Sequence, residues 1–224
     1  IMTNYDSSNI DYNLDAYKPS SDPKIDIKYP VERVISYLND LGPDSYAWYA
    51  MLMLLFNHID FLGHLQSGGS SRFDQSKCAV RFIRSYLGRV DDRYKEVGGL
   101  IYHMLRHGLS HKSSPKRLKL SDDSILGYTF SNTKKREKHL MVYCSYHELR
   151  LRFSIHLFYE DLLAAIDLYC EDIIHDNELK NNFINAWEML KEPEYESNIR
   201  SRYIEATDLA YINKQILSLP SSSN

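Results

Sequence analysis

The chain has 224 residues, 43% of them hydrophobic and 25% charged, with a formal net charge of −3. That is the composition of a soluble globular protein with a real core, in one domain or one domain carrying an insertion. A near-neutral total excludes a molecule that binds nucleic acid through its overall charge.

Residues 1–28 are rich in Ser, Asp, Asn, Tyr and Lys without an apolar period, and they predict a flexible arm. Pro30 precedes a short helix through Leu38. Gly42-Pro43-Asp44 punctuates, and Asp44 or Ser45 can cap a long helix reaching about Leu65. Its first half is apolar almost all round, which predicts a central position. Ser67-Gly68-Gly69-Ser70-Ser71 reads as a loop. A third helix follows over residues 73–87, with Cys78, Val80, Phe82, Ile83 and Leu87 apolar. A fourth begins near Asp91-Asp92 and turns Val97, Leu100, Ile101, Met104 and Leu105 inward.

After Lys112 the period alternates, through Leu118, Leu120, Tyr128, Phe130, Val142, Leu149, Leu151 and Phe153. This predicts a small antiparallel sheet over about residues 116–154. A helical period returns at Phe158, Leu162, Ala165, Ile166, Tyr169, Cys170 and Ile173. Further helices are predicted over residues 178–191 and 197–217, then a disordered tail over 219–224. The fold class is therefore mainly α, with one domain over residues 29–218 that contains a β insertion.

Cys78, Cys144 and Cys170 are odd in number and lack a CxxC, so they read as buried thiols in a reducing compartment. The polar stretch from Thr3 to Lys28 does not read as a signal peptide, and no apolar run is long enough to span a bilayer. The expectation is a cytoplasmic protein without a membrane partner.

The near-neutral total hides an asymmetry. Residues 103–139 hold nine Lys or Arg against three acids, and residues 159–197 hold eleven acids against two Lys. Lys112, Lys116, Arg117, Lys119, Lys134, Lys135 and Arg136 are the candidate nucleic-acid contacts. The plainer alternative is that Lys134-Lys135-Arg136 is a solvated hairpin tip.

The basic block begins at Arg106-His107-Gly108-Leu109-Ser110-His111. Arg106 offers a planar fork of donors suited to phosphate, and His111 a group that moves protons near neutral pH. On a continuous helix, five positions at about 100° each set the two about 140° apart. Gly108 offers a break at which the helix can loosen, and a dimer axis offers a counterpart. Helix-end cations also occur simply because they oppose the helix dipole. His103, His107 and His111, at i, i+4 and i+8, are a weaker alternative as metal ligands; no Glu of an HExxH pattern accompanies them. Asp60 is an acid in an otherwise apolar helix. It faces solvent, or it needs a partner such as Arg106 or His111.

Arg106, the polar His107, three residues and His111, at the end of a long helix, resemble the signature of the HEPN superfamily. The resemblance covers residues 30–112 and the helix after about residue 155. It implies an HEPN-like helical bundle, usually a homodimer, with the Arg and His of both copies at a shared cleft. It implies a metal-independent endoribonuclease without a cofactor, of a kind often found as a toxin or defence effector, with an antitoxin or larger effector as partner. Arg106, His111, His107 and Asp60 would then be the catalytic set, and RNA the substrate. The alternative within the same resemblance is a non-catalytic dimer that binds RNA or a protein.

Overall fold

The computed structural model describes residues 21–40, 47–69, 74–112, 114–131, 133–145, 147–191, 210 and 214; for residues 37–40, 47, 111 and 112 the description covers the backbone. The predicted segments at 1–20, 197–209 and 219–224 lie outside it. The chain divides into two units, Ile1–Met189 and Leu190–Asn224.

Helix α1 spans Pro23–Asp40. It starts earlier than the predicted flexible arm over 1–28 allows. Asp22 explains the start: its carboxylate accepts the Lys24 N–H at 3.0 Å, with Pro23 at the first helical position. Ile27 is then fully buried, and Pro30 sits inside the helix rather than at its beginning. Helix α2, Ala47–Gln66, is central as expected: Leu52, Leu55, Ile59, Leu62 and Leu65 are each 0% exposed.

Helix α3, Gln75–Phe82, is capped by Asp74, whose side chain accepts the Ser76 N–H. It continues through a π-helical turn, Ile83–Leu87, into the short α4, Gly88–Val90. Gly63 lets α2 and α3 touch, since a Cβ there would lie 2.6 Å from the Ala79 nitrogen. Helix α5, Arg93–Ile101, also passes into a π turn, Tyr102–His107, and then into α6, Gly108–Lys112.

The insertion is a four-stranded sheet made of β1 (Leu118–Lys119), β2 (Ile125–Ser131), β3 (Met141–Ser145) and β4 (Glu148–Ser154). The strand order is β1-β2-β4-β3. The sheet is mixed, not antiparallel as the alternation suggested. β2 runs parallel to β4, with Leu126 beside Leu149 and Phe130 beside Phe153, while β1–β2 and β3–β4 are antiparallel. Residues 133–140 are therefore a crossover past β4 and not a hairpin tip.

Helices α7 (Ile155–His175) and α8 (Asn177–Lys191) follow. All seven apolar positions anticipated in α7, from Phe158 to Ile173, are buried. Phe158 links the layers, its ring centroid 5.2 Å from Phe56 of α2 and 4.9 Å from Phe153 of β4.

A buried polar relay clamps the crossover to the helices. The Ser154 N–H donates to His139 Nδ1 at 2.9 Å, which leaves the proton on Nε2 to donate to the Tyr94 hydroxyl at 2.8 Å. Tyr94 donates to Asp161 at 2.9 Å, and Arg136 reaches the same carboxylate at 2.5 and 2.6 Å. Arg93 holds the His139 and Arg136 carbonyls. Burial, with Arg93 and Arg136 nearby, pushes the His139 imidazole down to about 3. Of the three cysteines, Cys78 and Cys170 are buried, but Cys144 is exposed because it stands on the outer strand β3. Among the described residues, no helix is long and apolar enough to cross a membrane.

Candidate active site

Arg106 sits in the π turn that ends the α5 rod, and Asp60 faces it from α2. Asp60 does not face solvent. It is 4% exposed, and its Oδ2 accepts Arg106 Nε at 2.9 Å while its Oδ1 accepts the Tyr102 hydroxyl at 2.6 Å. The Asp60 side chain is 6% exposed and the Arg106 side chain 20%, so the pair is more fully desolvated at the acid than at the arginine. Burial, aided by the Asp60 hydrogen bond, pushes the Tyr102 hydroxyl above its ordinary range. One carboxylate thus fixes two side chains that lie one turn apart on the same rod. Among the described residues, the Arg106 terminal nitrogens engage no partner, which leaves their fork for an anion.

The π turn widens the rod where Arg106 and His107 leave it. The Met104 carbonyl accepts the Lys116 N–H at 2.8 Å, so the chain that leaves α6 folds back onto the same rod. Gly108 serves that return. A Cβ there would lie 2.6 Å from the Lys116 nitrogen and the Pro115 Cα, and 2.7 Å from the Ser114 oxygen. The expectation that the helix loosens at Gly108 is corrected: the distortion precedes Gly108, and helix continues through Lys112.

His111 falls on α6, with its side chain outside the description. The His107 ring is edge-on to Tyr102 at 5.5 Å and 5.7 Å from the His103 ring. Among the described residues, no three His, Cys, Asp or Glu side chains gather as a metal-holding group. Tyr102 was not singled out from the sequence; its spacing of four residues before Arg106 is the signal that places both beside one acid.

The basic block separates on folding. Arg136 pairs with the buried Asp161, with 45% of its own side chain exposed. Arg117 pairs with Glu148, and Lys119 with Asp123 at 2.7 Å. Lys134 and Lys135 are exposed and Lys116 is half-buried. The Lys112 side chain lies outside the description. The acidic stretch is partly a set of counter-charges: Asp161 serves Arg136, Asp167 serves Lys28 at 2.6 Å, and Asp172 serves Arg89 at 2.5 Å.

No family model, curated protein or solved structure matches this chain.

Proposed function

We propose that the chain is an HEPN-type, metal-independent endoribonuclease whose catalytic groups are Arg106 and His111, within an HEPN-like helical domain. The Asp60–Arg106 pair carries the reading. A buried carboxylate that holds Nε and does not take the outer guanidinium nitrogens is an anchor for a phosphate-binding fork. Tyr102 on the same carboxylate stiffens that anchor. A π turn at the Arg106 position adds support, since such turns are frequent at functional sites.

In this mechanism an imidazole takes the proton of a ribose 2′-OH, and the 2′-oxygen attacks the adjacent phosphorus. Arg106 stabilises the charge that builds on the phosphorane oxygens. The P–O5′ bond then breaks, and the leaving 5′-oxygen takes a proton from a second imidazole. The products are a 2′,3′-cyclic phosphate and a 5′-hydroxyl. Asp60 positions Arg106 and touches no substrate. His107, beside Tyr102, is a candidate for the second imidazole. Five positions of helix separate Arg106 from His111, so the proposal gathers the Arg and His of two copies across a two-fold axis.

The test is incubation of the protein with mixed single-stranded RNA in EDTA, beside Arg106→Ala and His111→Ala. Cleavage by the wild type alone, with cyclic-phosphate ends, is the expected result. Equal cleavage by all three proteins, or none by any, overturns the catalytic reading. Salt-sensitive RNA binding without cleavage would assign the chain to the non-catalytic class.

A further inference from the structure

A second basic surface lies outside the block that the sequence singled out. Ser76, Lys77, Val80, Arg81, Arg84 and Ser85 line an open groove of about 560 Å³ along α3 and its π turn. Lys77, Arg81 and Arg84 are exposed and spaced at i, i+4 and i+7, which puts three cations on one helix face over about 10 Å. No lining residue is acidic.

The groove adjoins the candidate active site. α3 meets α2 at Gly63, where a Cβ would lie 2.6 Å from the Ala79 nitrogen, one turn along α2 from Asp60, the carboxylate that holds Arg106. Gly99 of α5 lies beside the groove: a Cβ there would be in ordinary contact with Arg84 Nη2 at 3.5 Å and Val80 Cγ1 at 3.8 Å. α5, the start of the rod that carries Arg106, packs against the π turn that holds Arg84 and Ser85.

We propose that this groove is the track along which the phosphates of single-stranded RNA lie as the strand reaches Arg106, an inference that rests on the ribonuclease reading above. Three cations over a single valine, with no aromatic ring in the lining, suit the sugar–phosphate backbone and not base stacking. Recognition here is therefore independent of sequence. Lys134 and Lys135, exposed on the crossover, are the competing surface.

The test is fluorescence anisotropy with the full chain and a labelled 2′-O-methyl oligoribonucleotide of mixed sequence, whose blocked 2′-oxygen prevents cleavage. The variant is Lys77→Gln with Arg81→Gln and Arg84→Gln; these exposed side chains leave the fold intact, which circular dichroism checks. At roughly 0.7 per phosphate for a single strand, losing three contacts lowers the slope of log affinity against log salt by about 2. That corresponds to about a hundredfold weaker binding at 0.1 M salt. A variant that binds like the wild type overturns the track while leaving the ribonuclease reading standing. So does a larger loss from Lys134→Gln with Lys135→Gln, or no binding by the wild type. Cleavage that survives Arg106→Ala while the groove variant still loses binding would sink the ribonuclease reading alone.

Discussion

Asp60→Asn is the sharpest perturbation of the anchor. An asparagine keeps the volume and one acceptor for Tyr102 but removes the charge facing Arg106 Nε. Breaking a fully buried pair costs about 3–5 kcal/mol, and a hydrogen bond to a charged group contributes about 1.5–3 kcal/mol. Arg106 keeps 20% of its side chain in solvent, so water recovers part of the loss and the lower end applies, about 2 kcal/mol. For a chain of this size that lowers Tm by about 4–8 °C. The cause is isolated by a double-mutant cycle with Arg106→Gln, measured by urea unfolding. Once either partner has gone, removing the other should cost little, with a coupling of about 1–2 kcal/mol. If the two costs add to within about 0.5 kcal/mol, Asp60 does not hold Arg106 in solution, and the anchored fork fails with it.

Acid should destabilise the fold through His139 and, to a smaller degree, His58. Burial pushes His58 down to about 4 against a hydrogen bond with the Ile27 backbone, and His139 down to about 3. Both are neutral when folded, so below the ordinary value near 6.5 the unfolded chain binds more protons and stability falls with pH. The slope from His139 is about 1.4 kcal/mol per pH unit between pH 6.5 and the onset of acid unfolding. It is read from urea unfolding at stepped pH and should be lost in His139→Gln. Alanine normally gains up to about 1 kcal/mol over glycine in a helix. Gly99→Ala should be neutral or stabilising, with its nearest neighbours at 3.5 and 3.8 Å. Gly63→Ala and Gly108→Ala should instead lose about 1–3 kcal/mol, because the new methyl meets backbone at 2.6 Å; thermal unfolding gives the sign in each case. Arg136→Gln should cost about 3 kcal/mol by stranding Asp161, which is 1% exposed. Lys134→Gln and Lys135→Gln should cost nothing measurable by the same assay.

Local signals carried most of the helices. The apolar periods of α2 and α7 place their buried faces without any knowledge of the partner. The start of α1 was equally local, since Asp22-Pro23 is a cap followed by a first-turn proline, but Pro30 drew the boundary seven residues too late. Pro30 is tolerated inside α1 although a proline removes a helical hydrogen bond, and no composition rule reveals where that cost is offset. The parallel pairing of β2 with β4 was not legible, because alternation states which face is buried and not which strand lies alongside. The π turns were not legible either: Tyr102–His107 reads as an ordinary helix until the returning Lys116 N–H meets the Met104 carbonyl.

Charge was the least legible property at the site, for a physical reason. A count along the chain treats each cation as solvated, whereas folding sorts cations by the carboxylates brought to them. Arg136 lies 25 positions from Asp161 and pairs with it. Arg106 lies 46 positions from Asp60 and is oriented by it. The two ion pairs engage different nitrogens. Asp161 takes Arg136 at Nη1, with 45% of the Arg136 side chain exposed. Asp60 takes Arg106 at Nε, the nitrogen whose use leaves both terminal nitrogens uncommitted to the acid. What each acid leaves of its arginine therefore depends on which nitrogen it meets. That is fixed by the close packing of α2 against the π turn and not by any charge count.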